Sequence, residues 1–130
     1  MTRTNADLGR LVLRFALGAC ILFHGVAKLM GGIDPIKQAV TANGLPSFVA
    51  YGVYFGEVVA PVLLIIGWYT RASASLTAIN MVFAIYLVHR ADLFKLAASG
   101  GYALELQALY LFVAIALALM GPGRYSIDER

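Results

Sequence analysis

Five side chains could hold or move a proton within this otherwise apolar chain: His24, Lys28, Glu57, His89 and Glu105. His24 and Lys28 stand one helical turn apart in Phe23-His24-Gly25-Val26-Ala27-Lys28, so they share a face of any helix that carries them. An ionisable group near a bilayer centre costs about 2.5–3.5 kcal/mol on insertion scales, and its presence is by default a functional hypothesis. Histidine and carboxylate are the groups that donate and accept protons as a ring is reduced. Glu57 is the acidic residue deepest in its apolar run, about 13 Å along a helix from the start. A carboxylate desolvated alone takes up a proton, whereas beside Lys28 or a protonated His24 it stays ionised, so pairing is expected to set its charge.

The elements that must position these groups are membrane spans. Hydrophobic residues make up 61% of the 130 and charged residues 13%, far from the balance of a soluble domain. Apolar runs at about 10–29, 48–68, 72–89 and 102–120 predict an all-α, integral membrane four-helix antiparallel bundle. They fill the chain as a single four-transmembrane-helix domain, 1–130, and leave no soluble catalytic domain. The net charge of +3 is scattered at the ends of the runs, which speaks to lipid headgroups and topology and excludes nucleic acid as a partner. The lone Cys20 cannot form an intramolecular disulfide or a dithiol relay, and it reads as a small buried hydrophobe one turn from His24. Arg3 and Arg10 precede the first run as in a secretory signal, but no small-x-small site follows, so the run is read as a retained span.

Along the first run, Arg10, Arg14, Leu17, Ile21, His24 and Lys28 recur at steps of three and four, placing the polar members on one face that points into protein. Asp34-Pro35 and Asn43-Gly44 bracket a two-turn surface helix, capped at Asp34, over the bundle. In the second run, Gly52, Gly56 and Ala60 form a small-residue row for close helix approach, within one bundle or in a homo-oligomer. Pro61 deprives the Glu57 carbonyl of its helical donor and predicts a kink. Asn80, in mid-span, reads as an interhelical hydrogen-bonding residue. Residues 91–101 read as an interfacial segment, and residues 121–130 as a tail in water. Arg3, Arg10, Arg71, Arg124 and Arg130, with Arg14 just inside the span, outweigh Lys37, Arg90 and Lys95, with Lys28 at the edge. That bias predicts both termini in the cytoplasm. The five ionisable residues then fall toward the outer face, histidine late in each rising helix and glutamate in each returning one, a hint of pseudo-symmetry.

Arg14, Phe23-His24-Gly25, Lys28-Leu29, Gly44-Leu45-Pro46, Glu57, Gly67-Trp68-Tyr69-Thr70-Arg71, Gly100-Gly101-Tyr102 and Gly121-Pro122-Gly123-Arg124-Tyr125-Ser126-Ile127-Asp128 together resemble the DoxX family of small four-helix bacterial membrane proteins. The resemblance covers nearly the whole chain, and the hinge and the glycine-rich tail are its specific parts. It implies a bacterial inner-membrane bundle related in name to a small subunit of a thiosulfate:quinone oxidoreductase, with no settled reaction or catalytic residues. Such bundles are also distantly similar to vitamin K epoxide reductases, but this chain lacks their Cys-x-x-Cys motif.

Two readings follow. One is an accessory or ligand-binding subunit of a membrane redox system, with a quinone-like molecule in an outer polar pocket of His24, Lys28, Glu57, His89 and Glu105, or a soluble or membrane oxidoreductase docked there. The other is a non-enzymatic transporter-like, small-molecule-binding or assembly module whose buried charges are structural. A zinc or iron site from His24, His89, Glu57 and Glu105 lacks the supporting Glu-x-x-His or His-x-x-x-His spacing, and bis-histidine haem from His24 and His89 has no further signal.

Overall fold

A computed structural model of the chain describes residues 3–128. It is an all-α bundle, and among the described residues the helices number five rather than four: α1 (Arg3–Gly31), α2 (Asp34–Ala42), α3 (Ser47–Ile66), α4 (Thr70–Asp92) and α5 (Glu105–Met120). The fifth is α2, the short helix that Pro35 and the Asn43-Gly44 stop announce. Its N-cap is Ile33, not Asp34. Asp34 lies in the first turn instead, where its charge complements the positive end of the helix without a capping hydrogen bond. The Asn43 amide donates to the Ala39 carbonyl at 2.8 Å and Gly44 takes φ +80°, which ends the helix as expected.

α1, α3 and α4 are each long and apolar enough to cross a bilayer. α5 has 16 residues, a rise of about 24 Å against a hydrocarbon core of about 30 Å. It begins three residues later than the apolar run, because Leu96 and Tyr102 pair across a small hairpin and hold residues 95–103 out of the helix. α1 begins seven residues earlier than its apolar run, its polar first turns carrying an Asp7–Arg10 ion pair at 2.9 Å.

The core forms in two parts. Leu17, Ile21, Leu64, Ala74, Ala114 and Leu117 fill the centre of the bundle, and Ile33, Val40 and Ala50 seal α2 onto the start of α3. Without a hydrophobic driving force between helices in lipid, close approach depends on small residues. Two of these contacts, both against backbone, lie on α1. A Cβ on Gly18 would stand 2.8 Å from the Pro61 carbonyl oxygen, and one on Gly25 would stand 2.6 Å from the Glu57 carbonyl carbon. Of the small row on α3, Gly56 packs against the Asn80 side chain and Ala60 is fully buried, but Gly52 has open space beside it.

The tail departs only in part from its expected place in water: Arg124, Tyr125 and Ile127 are exposed, but residues 121–123 are buried. Pro122 is fully buried, flanked by Gly121 and Gly123 at φ +81°, and Ile127 and Asp128 donate their N–H groups to the Ile66 and Gly67 carbonyls. The cause is Arg14, 1% exposed on α1. Its guanidinium donates to the carbonyls of Leu64, Ile65, Pro122 and Tyr125 at 2.8–3.2 Å, so the α3–α4 hairpin and the tail supply acceptors that lipid cannot. These bonds put the N-terminal half of α1, the hairpin and the tail at one end of the bundle. Cys20 also differs from its reading as a buried residue, being exposed, with its thiol beside the Tyr110 side chain of α5.

Candidate functional site

The opposite half of the bundle holds the ionisable residues, and the backbone there is distorted. α3 contains a π turn at Phe55–Val59 and α4 another at Ile85–His89. In the first, the Ala60 N–H reaches back five residues to the Phe55 carbonyl, and Pro61 offers no N–H to the Glu57 carbonyl, against which Gly25 packs. The Pro61 kink is thus taken up as a wider turn, a form frequent at functional sites. Glu57 lies within it, and His89 ends the other.

The Glu57 side chain is 5% exposed and receives two donors: the Lys28 ammonium from α1 on one oxygen and the Asn80 amide from α4 on the other, the latter at 3.1 Å. Tyr54 hydroxyl donates to the Lys28 carbonyl at 3.5 Å, tying the end of α1 to α3. A buried ion pair is tolerated only when hydrogen bonds serve its remaining lone pairs, and Asn80 supplies that bond. His24 does not reach Glu57. Its ring stands edge-on to Tyr110 of α5, with centroids 6.3 Å apart. His89 Nε2 stands 3.5 Å from the Gln107 side-chain amide nitrogen of α5.

The ion pair separates two cavities. The larger, about 330 Å³, lies between α2, α3 and α4 and is walled by Ile36, Val40, Val53, Ile79, Phe83 and Leu87, with Lys28, Glu57, Asn80 and His89 as its polar residues. The smaller, about 120 Å³, faces α5, where His24, Gln107 and Tyr110 join Lys28, Glu57 and His89. Glu105 lines neither cavity. It is exposed in the first turn of α5, its carboxylate beside Gly101, because the helix starts at that residue and leaves it at the loop end. The cluster therefore comprises His24, Lys28, Glu57 and His89 without Glu105. Asn80, Gln107 and Tyr110 complete it. The three-residue step from Gln107 to Tyr110 is a sequence signal for one shared helix face. Among the described residues, no three His, Cys, Asp or Glu side chains gather as a metal site.

α2 roofs the larger cavity. Val40 is 1% exposed beneath it, and the Lys37 ammonium sits 4.7 Å from the centre of the Tyr51 ring. A side-chain hydrogen bond with Tyr51 holds the Lys37 pKa above the ordinary lysine value. The arrangement offers an apolar slot with a carboxylate, an ammonium, an amide and an imidazole on one wall. It can orient a flat polar head, donate hydrogen bonds to it and exchange protons with it.

Residues 9–90, which carry α1 through nearly all of α4 and with them His24, Lys28, Glu57, Asn80 and His89, match the DoxX family model. The chain belongs to the DoxX family. This DoxX protein is 33% identical over 122 residues, 94% of its length and 86% of the relative's, to a Bacillus subtilis (strain 168) protein named "Putative oxidoreductase CatD". It is 29% identical over 121 residues, 91% of its length and 87% of the relative's, to an uncharacterized protein of Haemophilus influenzae. No solved structure matches it. Family and composition together make it a multi-pass helical protein of the bacterial inner membrane.

Proposed function

We propose that this DoxX protein is an accessory, ligand-binding subunit of a membrane redox system, holding the head group of a quinone-like molecule against Glu57, Lys28 and Asn80. The observation that carries this reading is the position of the Lys28–Glu57 pair, on the shared wall of an apolar cavity of about 330 Å³ and a more polar one of about 120 Å³. The apolar side takes a ring, and the polar side brings His24, His89 and Tyr110 close to the carboxylate that would trade protons with it. Reducing a quinone to its quinol takes two electrons and two protons. Electrons come from a partner oxidoreductase, soluble or in the membrane, a role in keeping with the name of the Bacillus subtilis relative.

The test is retention of ligand. Protein purified in native-lipid particles is expected to yield an extractable, ultraviolet-absorbing quinone at near one per chain, reduced about tenfold by Glu57→Gln, the loss of about 1.4 kcal/mol of head-group contact. Wild-type particles that carry none, and that retain none after incubation with a long-chain quinone, would overturn the reading. One observation favours a second reading, a non-enzymatic bundle stabilised by its charges: both Glu57 oxygens already have protein donors.

The same proposal includes a topology. α5 serves as a fourth, short span of a single domain, met by local thinning of the bilayer, and both termini are cytoplasmic. Arg3, Arg10, Arg71 and Arg124 collect at the end that Arg14 ties together, while Arg130 lies outside the described residues. A reporter active only in the cytoplasm, fused after Arg130, is expected to be active. Activity of a periplasm-only reporter there reverses the orientation.

A further inference from the structure

We infer that the larger cavity opens sideways into the bilayer between α3 and α4, and that its occupant is a lipid-dissolved amphipath whose polar head meets Glu57 while its apolar tail leaves through this mouth. The inference rests on the ligand reading above and adds the route and the tail. α2 closes the water-facing side with Ile36 and Val40, the latter buried together with Ala50 of α3. The exposed residues on the cavity wall lie elsewhere: Gly52 on α3, and Ile79, Phe83 and Val88 on α4, each of the last three about half exposed. These α4 side chains belong to the lipid-facing side of a spanning helix, so the gap between them and Gly52 faces acyl chains. A volume of about 330 Å³ is at the small end for a ligand site. It holds a ring and the first part of a chain, and anything longer must project through the mouth. The wall chemistry agrees, apolar except for Lys28, Glu57, Asn80 and His89.

Gly52 makes this testable. No atom lies within 4 Å of where its Cβ would be, and its φ of −59° suits any residue, so a large side chain there obstructs the mouth without straining the helix. The experiment measures equilibrium binding of two probes to the full chain in lipid nanodiscs, a benzoquinone with an isoprenoid tail and the same ring without it. Gly52→Trp is expected to weaken the tailed probe about tenfold while changing the tail-less ring less than about twofold, and Phe83→Trp from the opposite wall is expected to weaken the tailed probe as well. Glu57→Gln is expected to weaken both. If Gly52→Trp and Phe83→Trp leave the tailed probe unchanged while Glu57→Gln weakens both probes, the sideways mouth is wrong and the ligand reading stands. If neither probe binds the wild-type protein, the ligand reading fails and this inference with it.

Discussion

Lys28→Leu is expected to destabilise the bundle by about 3–5 kcal/mol, because it strands the Glu57 carboxylate, 5% exposed, with Asn80 as its remaining donor. Adding Glu57→Leu is expected to recover most of that loss, since removing both charges replaces a desolvated pair with apolar contact. Unfolding in mixed detergent micelles over the four variants of this cycle yields the coupling directly. Near-additive losses would mean that the pair is not formed in the bilayer. The same set separates the two functional readings. A stable double mutant that has lost the tailed-quinone binding assigns the charges to the ligand, and one that keeps every measurable property assigns them to packing.

The second large effect is steric. Gly25→Ala places a methyl group where the Glu57 carbonyl already stands, 2.6 Å from its carbon, and a backbone carbonyl cannot rotate away as a side chain could. α1 and α3 must part at the level of the ion pair. Overpacking costs about 1–3 kcal/mol, and a loss at the upper end is expected here, accompanied by weaker Lys28–Glu57 coupling. Gly52→Ala, one turn before Gly56 on the opposite partner helix, is the control and is expected to fall within about 0.5 kcal/mol of wild type. Equal melting temperatures for the two alanine variants would show that Gly25 and Glu57 are not in contact.

These two sites also mark how far the sequence could be read. Glu57 is legible because a carboxylate deep in an apolar run demands a donor, and α2 is legible because proline, asparagine and glycine signal at short range. Asn80 is legible as an interhelical hydrogen-bonding residue, though not as a partner of Glu57. What escapes is whatever depends on the partner surface. Gly25 and Gly52 are the same residue in apolar runs, yet a Cβ would meet a carbonyl at the first and open space at the second. The π turns have no residue code of their own; Pro61 forecasts a disturbed carbonyl but not a wider turn, and Ile85–His89 has no proline at all. Glu105 misleads because its pattern with His89 fits a repeat, while the hairpin around Leu96 and Tyr102 delays the helix and leaves it at the rim. The tail looks water-borne by composition, and only the needs of Arg14, more than a hundred residues away, draw its first residues inward.

Arg14 takes its acceptors from parts of the chain made at different times. Leu64 and Ile65 exist as soon as the first long hairpin has been synthesised, whereas Pro122 and Tyr125 follow Arg14 by 108 and 111 residues. Until Pro122 and Tyr125 have been added, two of the four carbonyls that serve the Arg14 guanidinium are absent. A polypeptide cut before Pro122 keeps a cation in an apolar interior with two acceptors missing. The seating of α1 thus depends on carbonyls that the ribosome adds more than a hundred residues after Arg14 itself.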